Sequence, residues 1–119
     1  MTKIQNPKHY DLERRTFEFT KRVIQYCNKL PKAITNLEII KQLIRAAGSV
    51  GSNYIEANEA LSKKDFIMRI KISRKEAKES RYWLCLTEPR KEEIKEKDGL
   101  IQEATELMKI FGSILEKSI

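Results

Sequence analysis

The sequence predicts an all-α fold: an antiparallel up-down-up-down four-helix bundle, with residues 1–119 forming one domain. Glycine and proline are scarce, with four and three residues, and 34% of the chain is charged, a composition that favours helices over turn-rich sheets. Apolar residues recur in steps of three and four along four segments of similar length. Because the connections between these segments are short, antiparallel neighbours are the simplest packing.

The first helix is predicted over residues 11–30. Apolar residues return at every third or fourth position, which places them along one stripe of a helix. Pro31 ends the helix, because proline cannot donate the next backbone hydrogen bond and disfavours helical geometry in the residue before it. The predicted stripe is Leu12, Thr16, Phe19, Val23, Tyr26 and Leu30.

The second helix is predicted over residues 35–61, through the stretch "RAAGSVGSNYIEA". The apolar phase is the same before and after this stretch, so we predict one continuous helix, with a kink or break at Gly48 to Gly51 as the alternative. Each interior glycine costs about 1 kcal/mol relative to alanine, which packing must offset. The small residues here would let another helix backbone approach closely. The predicted stripe is Leu37, Ile40, Ile44, Ala47, Gly51, Tyr54, Asn58 and Leu61.

The third helix is predicted over residues 63–88. Ser62 is its expected N-cap, with Asp65 three residues later, where a carboxylate favours the positive end of the helix. Pro89 marks its end. The predicted stripe is Phe66, Ile70, Ser73, Ala77, Ser80, Leu84 and Thr87.

The fourth helix is predicted over residues 98–117, with Asp98 as its N-cap, after the charged connector "RKEEIKEKDG", which has room for one helical turn. Prolines 31 and 89 interrupt the stripes at intervals that suit a compact bundle better than the alternative, a long coiled-coil hairpin dimer. The fourth stripe is Leu100 or Ile101, Ala104, Leu107 with Met108, Phe111, and Ile114 with Leu115.

Few residues could perform catalysis or hold a metal. The single histidine, His9, is expected in an N-terminal tail with no partner, and Ser49 and Ser52 have no base at a recognisable spacing. The stretch "GSVGSN" matches neither a Walker phosphate loop nor a dinucleotide-binding fingerprint. The two candidate carboxylate pairs are Glu56 with Glu59 and Glu76 with Glu79. Neither pair has the histidine that a ferritin-like di-metal centre requires, so we expect no enzyme, no metal and no cofactor.

The two cysteines, Cys27 and Cys85, lie far apart and match no metal-ligand or redox spacing, so we expect both to be reduced. The N-terminal residues lack the apolar core of a signal peptide, and no apolar run is long enough to span a bilayer. These features predict a soluble, cytoplasmic protein.

Basic residues form rows on two of the predicted helices. The net charge is +7, and the positive charge is concentrated in residues 12–30 and 62–88. Such rows could follow a nucleic-acid backbone, whereas the simpler interpretation is a solvated surface that Glu76 and Glu79 partly neutralise. The candidate nucleic-acid-binding residues are Arg14, Arg15, Lys21, Arg22 and Lys29 on the first helix, and Lys71, Arg74, Lys75 and Lys78 on the third. No sequence-specific DNA-binding or RNA-binding motif accompanies them.

Two adjacent aromatic residues, Tyr82 and Trp83, lie off the main stripe of the third helix. Aromatic residues are enriched in subunit interfaces, so this pair is a candidate for one. The alternative is that the core stripe is simply wider near the end of that helix.

The chain resembles a known family over residues 11–118. The stretches "DLERRTFEFTKRVI", "QLIRAAGSVGSNYIEANEALSKKDFIMRIKISRKEAKESRYWLCL" and "LMKIFGSIL" are similar to the four-helix-bundle proteins encoded in intervening sequences of bacterial 23S ribosomal RNA genes, also called the S23 ribosomal protein family. The same fold resembles the accessory variability protein of diversity-generating retroelements. Here Gly51 stands where many members have proline, and Ala57-Asn58 where many have glycine.

The resemblance implies a homo-oligomer, specifically a homopentamer, that binds RNA or DNA and works with a reverse transcriptase. Family motif positions correspond to Gly48, Gly51, Asn53 and Glu56, for which we expect structural roles. The candidates for helix packing or an oligomer interface are Ala47, Gly48, Gly51, Asn53, Tyr54, Glu56, Tyr82 and Trp83. We therefore expect a non-enzymatic nucleic-acid-binding bundle, with a protein-only scaffold or adaptor as the alternative.

Overall fold

The computed structural model describes the backbone of residues 7–118 and the side chains of residues 12–118. This part of the chain contains four α-helices and no strand, which confirms the all-α prediction. The helices are α1 (Pro7–Lys29), α2 (Ile34–Asn58), α3 (Lys63–Leu86) and α4 (Ile94–Ser118), and a 3-10 turn, Lys91–Glu93, precedes α4.

Hydrogen bonds between helices define an up-down-up-down bundle. As residue numbers rise along one helix, the numbers of their partners fall along the next, so the helices run antiparallel. The bonds that set the register include Thr20 to Ala47, Asn58 to Glu13, Ser73 to Val50, Arg69 to Asn53, and Arg81 to Thr105. Because α1 also packs against α4, α1 and α3 lie diagonally across the bundle.

The predicted stripes of α1 and α3 form the core. All six stripe residues of α1 are buried, and in α3 only Phe66 is partly exposed. The start of α1 was predicted wrongly, since the helix begins at Pro7, a position where the missing N–H of proline costs nothing. His9 therefore lies within a helix and not in a tail, and its side chain lies outside the described residues.

The α2 helix runs unbroken through Gly48 and Gly51, which excludes the predicted alternative of a break. Its stripe was only partly right, because Leu37 is exposed and Leu61 lies fully exposed beyond the helix end at Asn58. The buried face is instead Asn36, Leu43, Ala46, Ala47, Val50, Gly51, Tyr54 and Ala57.

Asn36 explains the changed phase at the start of α2. Its side-chain amide donates to the carbonyls of Pro31 and Glu88, and its oxygen accepts from the Glu88 amide, which joins two connections of the bundle. A buried polar side chain is stable only with such partners. Turning Asn36 inward points Leu37, which follows it by 100° around the helix, towards solvent.

Gly51 marks a close approach of α1 to α2. A Cβ atom at this position would lie 3.1 Å from Thr16 Oγ1 and 3.3 Å from Thr16 Cβ, closer than ordinary van der Waals contact. Thr16 is buried and its hydroxyl donates to the carbonyl of Glu13. Gly48 differs, because a Cβ there would meet nothing within 4 Å. Of the two glycines in α2, Gly51 thus packs against α1 inside the bundle, whereas the space beside Gly48 is open.

The predicted N-cap of α3 is confirmed, since the Asp65 amide donates to Ser62 Oγ at 3.1 Å. The start of α4 was predicted wrongly: Asp98 is not a cap, because the helix begins at Ile94, directly after the 3-10 turn. The helix can begin this early because residues 90–97 contain neither proline nor glycine. The early start also lets Lys97 donate to the carbonyls of Cys85 and Thr87, which would otherwise lack partners at the end of α3.

The two glycines of α2 should respond differently to alanine. Gly48→Ala should raise the free energy of unfolding by up to about 1 kcal/mol, because alanine is the better helix former and the space is open. Gly51→Ala gains the same propensity but must displace Thr16, so it should be less stable than Gly48→Ala by roughly 1 kcal/mol. Urea titrations at matched oligomeric mass measure both. Equal stabilisation by the two changes would contradict the close approach.

Candidate nucleic-acid interface

The α1 cations that face α4 are bound within the bundle. Arg15 donates to Glu103 at 2.7 and 2.9 Å and to Glu106 at 2.6 Å. Hydrogen bonds from Gln102 and Arg15 lower the pKa of Glu106 below its usual range. The pKa of Arg15 is raised, and its hydrogen bond to Glu103 is the main cause. These contacts make Arg15 part of the α1–α4 packing.

The other α1 cations lie in two places. Lys29 pairs with Glu96 at 3.0 Å, and the Arg22 guanidinium lies against α4, 3.6 Å from where a Cβ of Gly99 would be. Arg14 and Lys21 are exposed on the outer side of α1. Since α1 is diagonal to α3, the two predicted rows do not form one continuous surface.

The α3 cations line a groove between α3 and α4, which we call the α3–α4 groove. One section of it encloses about 550 Å³. Six basic side chains line it, four predicted from the sequence and two from elsewhere. They are Lys71, Arg74, Lys75, Lys78, Arg81 and Lys109. Of these six cations, only Arg81 has a hydrogen-bond partner within the described part of the chain, namely Thr105 at 3.3 Å.

Acidic residues are nearly absent from this groove. The two glutamates expected to neutralise the α3 row, Glu76 and Glu79, point towards α2, where both accept hydrogen bonds from Arg45. Among the described lining residues the only acid is Glu116, at the end nearest the C-terminus. Like charges held together without counter-charges raise the local positive potential.

The α4 side of the groove contributes several uncharged residues beside Lys109 and Glu116. Thr105, Met108, Gly112 and Ser113 line it, and Arg74 crosses Gly112, with Nη1 at 3.8 Å from where a Cβ would be. From position 71 to position 81 the α3 cations span about 15 Å along the helix axis. The groove therefore offers a row of cations several nucleotides long.

Sequence reasoning missed Arg81 and Lys109 as members of this site. Arg81 continues the spacing of Arg74 and Lys78, so the pattern on α3 alone could have identified it. Lys109 lies on another helix, and its place beside Lys71 depends on how α4 docks against α3.

The predicted packing residues of α2 have several environments. Ala47, Gly51 and Tyr54 are buried inside the bundle, with the Tyr54 ring 5.8 Å from that of Phe111. Asn53 donates to the Ser49 carbonyl and accepts from Arg69. Glu56 is exposed.

Gly48 faces outward together with several exposed apolar side chains. Positions 37, 48 and 55 return to one side of α2, and Leu37 and Ile55 are large and exposed there. On α1, Phe17 and Ile24 are exposed seven residues apart. The outer surface of α1 and α2 is therefore richer in apolar groups than the basic α3–α4 side.

The aromatic pair of α3 is divided between core and surface. Trp83 packs against the core, and its indole N–H is buried without a partner among the described residues. Tyr82 is 59% exposed, and its ring meets that of Trp83 edge to face, with centroids 5.0 Å apart.

Comparisons with known proteins identify the family. The family described as 23S rRNA-intervening sequence protein matches residues 8–113. The chain belongs to this family. A crystal structure of a protein of unknown function from the S23 ribosomal protein family of Bacteroides thetaiotaomicron is 28% identical, with a TM-score of 0.78, and the match covers 92% of this chain and 98% of that one. None of the curated proteins compared with the chain matches it.

The similarity confirms the family that the sequence resembles and the four-helix fold of this intervening-sequence protein. The relation to retroelement accessory proteins stays a prediction. None of the helices in the described residues is both long and apolar enough to cross a membrane.

Replacing Arg15 should destabilise the bundle more than replacing its neighbour Arg14. Arg15→Gln removes hydrogen bonds to two glutamates and should cost roughly 1 kcal/mol after allowance for partial exposure, whereas Arg14→Gln should change stability little. Urea unfolding at pH 7 measures both.

The pH dependence gives a second check on Arg15. The pKa of Glu106 in the folded protein lies below its usual 4.5, so the stability contributed by this carboxylate is present above 4.5 and is lost as the pH falls through the lower value. The difference in free energy of unfolding between Arg15→Gln and the unchanged protein should therefore become smaller at acid pH. A difference that widens there would contradict this description of the α1–α4 contact.

Proposed function

We propose that this protein binds nucleic acid, without catalysing a reaction, through phosphate contacts in the α3–α4 groove. The observation that carries the proposal is the set of six groove cations, of which only Arg81 has a hydrogen-bond partner among the described residues. Cations that form no ion pair gain most from meeting phosphates, because binding releases the counterions held by the nucleic acid.

The groove is a better candidate than α1, although the sequence favoured both. Arg15 and Lys29 would have to break contacts with α4 glutamates before they could bind phosphate. Arg14 and Lys21 remain available on the outer side of α1 and would act, if at all, on a separate stretch of the ligand.

The family name supports RNA as the first ligand to test, since it refers to sequences inserted in 23S rRNA genes. A narrower form of the proposal is that the protein serves as an accessory factor to a reverse transcriptase. Both forms use the same groove, because an accessory factor of this kind also has to hold nucleic acid.

We further propose that the protein is an oligomer, with a homopentamer as the expected form. The support is the outer surface of α1 and α2, where Phe17 and Ile55 are exposed and Gly48 leaves room for close approach. The same surface also favours a second candidate function, a protein-only scaffold that recruits another protein. The two functions differ in whether the groove cations matter for partner capture.

Charge reversal in the groove should abolish most of the binding. In Lys75→Glu/Lys78→Glu, two phosphate contacts become repulsive, so the affinity for RNA should fall by at least about tenfold and the slope of log affinity against log salt should become shallower by about 1.4 to 1.8. Fluorescence anisotropy across a salt series measures both quantities.

The matched control for this experiment is Lys32→Glu/Lys41→Glu, which changes net charge equally at exposed positions far from the groove. We expect it to weaken binding much less. Equal loss in the two double variants would mean that only net charge matters, and partner capture in cells that survives Lys75→Glu/Lys78→Glu would favour the scaffold.

Light scattering of the purified protein should give the mass of an assembly and not of one 14.0 kDa chain. Five subunits are expected. Gly48→Leu should lower that mass, because its side chain would fill the open space on α2. Gln42→Leu is the matched control, since position 42 is exposed on α2 but lies about 120° around the helix from Gly48. A single subunit at all concentrations would refute the assembly.

A further inference from the structure

The basic row of α3 ends at an exposed aromatic ring. Lys71, Lys75, Lys78 and Tyr82 follow one another at intervals of four, three and four residues, which places them on one outward stripe of the helix. All four are exposed. Tyr82 lies about 6 Å along the axis from Lys78, one turn away.

The ring of Tyr82 is both accessible and held in place. Its contact with Trp83 is edge to face, with an angle of 76° between the rings. Such a contact covers at most one face of the tyrosine ring, and the residue as a whole is 59% exposed. Trp83 itself packs against the core, which gives Tyr82 a rigid neighbour.

We infer that Tyr82 is a base-stacking residue and that the groove binds single-stranded nucleic acid or an unpaired segment of a folded one. The inference rests on the proposed function, because the phosphates of the strand would lie along Lys71, Lys75 and Lys78. A cationic row that tracks the backbone, combined with an aromatic ring that takes a base, is the usual arrangement in single-strand binding. In a continuous duplex each base already stacks on its neighbours and cannot reach the ring.

The structure favours this role over a packing role for Tyr82. The ring adds little to the core of the chain, since more than half of it is exposed. It also continues the basic row, whereas the apolar surface of α1 and α2 lies on the other side of the bundle. A subunit interface at Tyr82 would cover the end of that row.

The test compares Tyr82→Ala with Tyr82→Phe on two ligands, a single-stranded RNA without self-complementarity and a long, fully paired RNA duplex. Tyr82→Ala should weaken single-strand binding by about 5- to 150-fold, the range for loss of one stacked base, and should change duplex binding little. Tyr82→Phe keeps the ring and should bind like the unchanged protein. The control is Ile34→Ala, which removes an exposed apolar side chain, 80% accessible, from the start of α2, outside both the groove and the residues proposed for assembly.

The outcomes separate this inference from the proposed function. If Tyr82→Ala binds single strands normally while Lys75→Glu/Lys78→Glu does not, the stacking role is wrong and the groove stands. If Tyr82→Ala weakens both ligands equally, or lowers the mass in light scattering, the ring acts in packing or assembly and the inference is overturned. If the unchanged protein binds neither RNA at low salt, the proposed function itself fails. Repeating the series with single-stranded DNA of the same sequence shows whether the protein prefers ribose or deoxyribose in the bound strand.

Discussion

The distribution of charge around α4 determines which cations of this bundle are available. Glu96, Glu103 and Glu106 lie on the side of α4 that meets α1, where they take up Lys29 and Arg15. The side that meets α3 carries small uncharged residues and Lys109. A helix with this asymmetry binds two cations of the α1 row and leaves the α3 row exposed. The α3–α4 groove is therefore a consequence of how α4 is docked.

The rest of the fold holds that docking in place. Gly51 lets α1 approach α2 until Thr16 almost touches its backbone, and Asn36 ties the connection after α1 to the one after α3. Arg45 draws the α3 glutamates towards α2, away from the groove. None of these contacts lies in the lining of the α3–α4 groove, yet together they fix which faces of α3 and α4 point outward.

The local sequence pattern correctly predicted the features that depend only on neighbouring residues in the chain. The stripes of α1 and α3, the Ser62 cap and the continuity of α2 through Gly48 all follow from helical periodicity and end chemistry. The errors arose where contacts with residues distant in the sequence determine which side chain is buried or paired. Asn36 takes the inward place of Leu37 because of its bonds to Glu88, and Arg15 is paired with glutamates about 90 positions away. Periodicity within α1 or α2 contains no information about these partners.

Differential labelling of lysines, with and without bound RNA, tests the account most directly, because it compares both basic rows in one sample of the intact protein. The account predicts that RNA protects Lys71, Lys75, Lys78 and Lys109, while Lys21, Lys29 and Lys41 react as before. Protection of Lys21 and Lys29 with unchanged labelling in the groove would contradict it, since the ligand would then lie on α1 and not between α3 and α4.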